Sequence, residues 1–154
     1  MNETLRKVSG ARLLVVEDEA IVRADLSQTL SDLGYNVVAS TSSGERAVTL
    51  ALESHPDAVL MDITLSGSMD GVDASRKICQ SADVPVIFMT AHSDAHTLGR
   101  VKGTAHAGYL QKPFEERLLA ETVEKVLYSQ ENQRISNSLL HLENHSHHRC
   151  GINE

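Results

Sequence analysis

The chain has 154 residues, enough for one domain with a proper core and a modest remainder. Apolar residues make up 41%, yet no apolar run approaches the ~20 residues that cross a membrane, and the polar segment 1–12 has no signal-peptide pattern. The net charge of −7 argues against a nucleic-acid partner, and two cysteines, Cys79 and Cys150, are too few for a disulfide framework and suit a reducing cytosol.

In chain order, the run Leu13-Leu14-Val15-Val16 reads as a strand that stops at three acids, Glu17, Asp18 and Glu19. A helix follows, with Val22, Leu26, Leu30 and Leu33 on one face and Gly34 as its stop. Val37-Val38-Ala39 is a second strand. The helix predicted over 44–53 turns Ala47, Val48, Ala51 and Leu52 inward and breaks at His55-Pro56. A third strand, Ala58-Val59-Leu60-Met61, ends on Asp62. The Gly- and Ser-rich loop 64–71 leads into a third helix ending near Ala82, and Pro85-Val86-Ile87-Phe88-Met89 is a fourth strand closed by Thr90. The helix predicted over 94–104 is weakened by Gly99 and Gly103, each costing ~1 kcal/mol against alanine. Gly108-Tyr109-Leu110 is a short fifth strand, ended by Lys112-Pro113, and a fifth helix opens at Glu115 with Leu118, Val123, Val126 and Leu127.

Five strand–helix units with nearly continuous apolar strands predict an α/β fold, a doubly wound five-stranded parallel sheet covered on both faces. Five strands suggest the order 2-1-3-4-5, known from doubly wound proteins rather than deduced from this sequence. In such a sheet the site lies beyond the carboxyl ends of the strands, beside strands one and three. Glu17 and Asp18, Asp62, Thr90 and Lys112 all stand on that rim, supplied by four separate segments. Carboxylates placed together raise one another's pKa unless a cation intervenes, and a hard, oxygen-preferring ion such as Mg²⁺ resolves the conflict. Asp62 is the natural nucleophile, since a carboxylate can form an acyl phosphate while a metal stabilises the transferred oxygens. Lys112 can offset phosphoryl charge, and Thr90 can donate a hydroxyl to a third oxygen.

The acid pair in Val-Val-Glu17-Asp18-Glu, the acceptor in Leu-Met-Asp62-Ile-Thr, Thr90-Ala91 and Gly108-Tyr109-Leu-Gln-Lys112-Pro113-Phe114 together resemble the response-regulator receiver family, over roughly residues 12–127. The resemblance implies a cytoplasmic phosphoacceptor that takes a phosphoryl group on Asp62 from a sensor histidine kinase or a phosphotransfer protein. Such a module catalyses only its own aspartyl phosphorylation and dephosphorylation. It also implies Mg²⁺ bound by Asp18, Asp62, Glu17 and the backbone carbonyl of Thr64, with Lys112 and Thr90 on the phosphoryl group and Ala91 leaving room for its approach. Thr90 and Tyr109 would be the switch pair reshaping the surface of helix four, strand five and helix five, and a cis peptide is expected before Pro113. The loop after Asp62 is one residue longer than the commonest receiver loop and has Ser66 where proline is usual. In this it resembles a subgroup often attached to sensory modules.

Each rim residue has a plainer reading alone: acids favoured at a helix start, a turn-forming Asp62, a β-branched Thr90 in a strand, and Lys112-Pro113 as a turn before a helix; Tyr109, weighed separately, has the plain reading of a half-buried tyrosine in an edge strand. Four such coincidences on one rim make the joint plain reading improbable. A haloacid-dehalogenase-like phosphatase would carry its nucleophilic Asp after strand one with a second Asp two positions on, but the residue two after Asp62 is Thr64. A flavodoxin-like FMN binder would need a phosphate loop after strand one, where three acids stand. A degenerate receiver that signals without phosphate is disfavoured by the intact set. His92 lies where a side chain could tune hydrolysis of the acyl phosphate. The receiver unit is expected over 11–128, followed by a helical extension and polar His-rich tail over 129–154. Tyr128, Ile135 and Leu142 are spaced by heptads, which suits a frayed extension or a helix through which a homodimer forms. His141, His145, His147, His148 and Cys150 could make a metal site, but nothing nearby fixes a geometry, so a solvated tail is the expectation.

Overall fold

Alternation along three apolar strands builds two cores at once. In the computed structural model, which describes residues 9–91 and 94–140, β1 (Arg12–Val16), β3 (Ala58–Asp62) and β4 (Val86–Thr90) are buried almost end to end. Leu13, Val15, Ala58, Leu60, Ile87 and Met89 point to one face, where they meet residues of α1 (Ala20–Asp32) and α5 (Glu116–Leu140). Leu14, Val16, Val59, Met61, Val86 and Phe88 point to the other, against α2 (Gly44–Ser54), α3 (Gly71–Ser81) and α4 (Ala95–Lys102). This two-sided burial is why the strands read as continuous apolar runs rather than alternating ones.

With the outer strands β2 (Asn36–Thr41) and β5 (Gly108–Gln111), the sheet is parallel throughout and ordered 2-1-3-4-5, as expected. Val16 pairs with Met61 and Asp62 with Met89, so the carboxyl ends of the three central strands are level along one rim. α1 ends where Gly34 takes a φ of +98°, a left-handed turn that L side chains rarely adopt. α2 is stopped by His55, itself left-handed at a φ of 48°.

Several details depart from the sequence expectation. Leu52 is 41% exposed; the inner face of α2 is made by Ala47 and Ala51, with Val48 and Leu50 packed beside them. Val22 is 37% exposed and is not among the buried residues that α1 gives to the core, Leu26 and Leu30. α4 is shorter than predicted: Asp94 caps it by accepting from the Thr97 amide at 2.9 Å, and it closes at Gly103. The helical extension, by contrast, is present as expected: α5 runs unbroken through the polar stretch 130–134 as far as Leu140, with an Arg134–Glu131 pair at 3.8 Å along it. The readings for His92 and for the histidines of the tail fall outside the described residues. Among those residues, no helix is long and apolar enough to cross a membrane.

One buried group sits at odds with this packing. The Ser75 hydroxyl, on the inner face of α3, is fully buried and has no hydrogen-bond partner among the described residues. A buried unpaired hydroxyl carries a desolvation penalty, and alanine is also the better helix former. Ser75→Ala is therefore expected to stabilise the protein by roughly 1 kcal/mol, read as a higher urea midpoint at unchanged slope.

Candidate functional site

The rim is built by letting each apolar strand run out into a polar residue. β1 continues into Glu17 and Asp18, β3 ends on Asp62, β4 ends on Thr90 and β5 leads into Lys112. The backbone knits these ends together: the Ile63 amide donates to the Met89 carbonyl at 3.0 Å, and the Lys112 amide to the Thr90 carbonyl at 2.7 Å. The Lys112–Pro113 peptide is cis.

Three carboxylates meet here. One oxygen each from Glu17, Asp18 and Asp62 lies within 4.8 Å of the others. Glu17 is completely buried and Asp62 only 4% exposed, an unusual setting for acids and one that demands compensation. Lys112 supplies it: its ammonium donates to Glu17 Oε1 and, at 3.1 Å, to Asp62 Oδ2. The Glu19 amide donates to Glu17 Oε2 at 3.2 Å, and the Thr64 amide donates to Asp62 Oδ1 at 3.0 Å.

These contacts divide the charge unequally. Burial, the hydrogen bond with Glu17 and its negative charge push the Asp62 carboxyl up to about 7, against the Lys112 ammonium, which favours the anion. Burial also opposes ionisation of Glu17, but hydrogen bonds with Asp62, Lys112 and the Glu19 amide outweigh it and hold Glu17 below the usual carboxylate range. Burial alone would lower Lys112, yet its two acidic partners raise it, so it stays a cation. A clustered set of hard oxygen donors with surplus negative charge fits a divalent ion such as Mg²⁺, which binds through few carboxylates and keeps its own waters.

Of the residues singled out in the sequence, Glu17, Asp18, Asp62 and Lys112 are brought together, Thr64 joins through its amide, and Thr90 closes β4 fully buried beside them. Tyr109 sits apart: it packs into the core on the α2–α4 face, its hydroxyl buried without a partner among the described residues. Two supporting residues escape a reading of the sequence. Gly71 opens α3 hard against the end of β3, where an added Cβ would lie 2.0 Å from the Asp62 carbonyl oxygen. Only its place after the acceptor loop hints at this. Arg23 donates to the Glu17 carbonyl at 2.8 Å, which no pattern in the sequence signals. Beside the cluster an open cleft of about 680 Å³ runs between α1 and the start of α5, lined by Glu17, Val22, Asp25, Ala91, Lys112 and Phe114 among others.

Residues 13–124 match the family model of the response regulator receiver domain. The transcriptional regulatory protein PdtaR of Mycobacterium tuberculosis is 35% identical over 113 residues, covering 73% of this chain and 55% of that protein. This chain spans about half the length of the curated relatives it matches, at 55% and 46% of two of them. Among solved structures, the signal receiver domain of a modulated diguanylate cyclase from Desulfovibrio desulfuricans is 33% identical with a TM-score of 0.76, over 80% of this chain and 98% of that one. The receiver domain of a sensor histidine kinase from Pseudomonas aeruginosa, solved with a magnesium ion coordinated in the active site cleft, is 30% identical with a TM-score of 0.71, over 77% and 98%.

The raised Asp62 sets a pH signature. A carboxyl with a raised folded pKa favours the fold below its unfolded value of 3.8, and that contribution is lost as pH rises through about 7. With chelator present, Asp62→Asn should raise the urea midpoint above pH 7 and change it little near pH 4. An equal change at both pH values would show that Asp62 ionises normally.

Proposed function

The chain belongs to the response-regulator receiver family, and from that premise we propose that it accepts a phosphoryl group on Asp62 in a two-component phosphorelay. The observation that carries this reading is the convergence of Glu17, Asp18 and Asp62 within 4.8 Å, with Lys112 bridging two of them. An Asp62 oxygen forms a bond to phosphorus as the bond from phosphorus to a donor histidine nitrogen breaks, and the imidazole leaves. Asp62 acts as nucleophile in its anionic form, which Lys112 favours by charge. When bound to Glu17, Asp18, Asp62 and the Thr64 carbonyl, Mg²⁺ supplies charge neutralisation for the phosphoryl oxygens. Lys112 adds a second positive charge, and Thr90 a hydroxyl, at the same oxygens.

On this reading the chain turns over no external substrate beyond its own aspartyl phosphorylation and dephosphorylation, and it works in the cytoplasm. The partner that delivers phosphate is a sensor histidine kinase or a phosphotransfer protein. Ile21, 85% exposed and next in sequence to the cleft-lining Val22, offers it an apolar foothold. Thr90 and Tyr109 carry the change outward to α4, β5 and α5. The unpaired Tyr109 hydroxyl supports this, because it gains a partner by leaving its present place. The receiver unit spans 11–128 and the helix beyond it is an extension, whose exposed Ile135, Leu139 and Leu140 support pairing of two copies.

Incubation with acetyl phosphate and Mg²⁺ should add one phosphoryl mass, ~80 Da, to the intact chain, and neither Asp62→Asn nor chelated protein should gain it. Absence of the adduct in the unaltered protein would overturn the proposal. Ile21→Glu should leave labelling by acetyl phosphate unchanged while slowing transfer from a phosphorylated histidine kinase about tenfold, the effect of one lost apolar anchor. Equal rates from the kinase would exclude Ile21 from the docking face.

A further inference from the structure

α4 is joined to the acceptor site by a second route, one that does not pass along β4. The Arg100 guanidinium, on the inner side of α4, forks onto Asp70, with Nη1 2.5 Å from Oδ2 and Nη2 3.2 Å from Oδ1. Nη2 also lies 3.4 Å from Asp73 Oδ1. Asp70 is the N-cap of α3. Its Oδ1 accepts from the Asp73 amide at 2.9 Å, while Asp73 Oδ2 accepts from the Asp70 amide at 3.4 Å, a closed capping box. One carboxylate therefore starts α3 and anchors α4 together.

The next residue carries the link to Asp62. The Gly71 amide donates to the Ile63 carbonyl at 2.9 Å, and the Gly71 Cα is pressed so closely on the Asp62 carbonyl that no side chain fits there. Position is thus handed from Arg100 to Asp70, to Gly71, and to the backbone of the acceptor itself. A bidentate, charge-assisted fork is the strongest geometry available for the first step. Arg76 makes a different tie between α3 and the end of α4, donating from Nε to the Thr104 hydroxyl at 3.2 Å, which in turn donates to the Arg100 carbonyl at 3.0 Å; the guanidinium fork on Asp70 is not part of it.

The geometry points to Arg100 as a positioning residue for phosphoryl transfer: its fork on Asp70 holds the start of α3, and with it the loop over Asp62, in register with α4. The linkage stands on the structure, and its effect on phosphoryl transfer rests on the function proposed above. Any displacement of α4 must then either carry the acceptor loop along or break the fork. A phosphorylated Asp62 and a moved α4 become two ends of one element.

The test uses the whole 154-residue, ¹⁵N-labelled chain with Arg100→Gln, Asp70→Asn and the double variant. Asparagine caps a helix as well as aspartate, so Asp70→Asn removes the ionic fork without uncapping α3. Arg76→Ala is the control that loosens the helix pair elsewhere. Both single variants should move the amide resonances of Ile63, Thr64 and Gly71, and both should slow phosphorylation by acetyl phosphate and Mg²⁺ about fivefold or more. The double variant should be no slower than either single one, because both cut the same link. Arg100→Lys, which keeps charge but not the fork, should fall between. Arg76→Ala should leave those three amides and the rate unchanged. Fixed amides at 63 and 64 in both single variants, or additive rate losses, would overturn the proposal. If the unaltered chain takes no phosphoryl group, the proposed function fails, and the amide resonances still decide whether Arg100 positions the loop.

Discussion

The fold turns on a charge imbalance held at the end of an apolar sheet. Two carboxylates, Glu17 and Asp62, are buried side by side, and one ammonium, Lys112, serves both. Burying acids in this way is unfavourable unless each is paired and hydrogen-bonded. Parallel strands make it possible, because neighbouring strands deliver their last residues to one edge at one height. Asp18 adds a third negative charge, so one ammonium cannot balance the set. A cluster so arranged attracts further positive charge.

The two faces of the sheet divide the labour. Glu17 continues the series Leu13 and Val15, Asp62 continues Ala58 and Leu60, and Lys112 follows Leu110; all of these belong to the face packed by α1 and α5. Tyr109 is one residue out of phase and belongs to the α2–α4 core. The Glu17–Asp62–Lys112 cluster and Tyr109 therefore lie on opposite sides of a sheet one residue thick. The backbone links between the rim and the far face run through strand ends and the loops they launch, as in the Lys112 amide to Thr90 carbonyl bond.

What is legible in the sequence follows from which patterns are local. Runs such as Val59-Leu60-Met61 announce buried parallel strands, and the polar residue after each run marks the rim, so the sheet, Asp62 and Lys112 can be read from residue order alone. Leu52 misleads because a leucine at helical spacing looks inward; here the small Ala47 and Ala51 let α2 approach closely and turn Leu52 out. The long α5 suggests fraying across 130–134 because its apolar periodicity lapses there, yet helix continuity needs only backbone bonds and compatible side chains. Contacts between distant segments leave no local trace. Nothing in Asp70 or Arg100 says that they meet 30 residues apart, and nothing in Gly71 names the carbonyl it must clear.

That clearance has a consequence for how the loop can vary. Gly71 is pinned at one end of the segment by contact with Asp62, and Asp62 is pinned at the other by the sheet. A residue inserted between them cannot be absorbed at either end without dislodging the acceptor. It has to emerge in the middle, where Ser66, Gly67 and Ser68 are exposed and Gly67 turns the chain outward with a φ of +106°. Any added length in this loop is thus spent in solvent. Length added at that outward bend leaves the few atoms around Asp62 where they are.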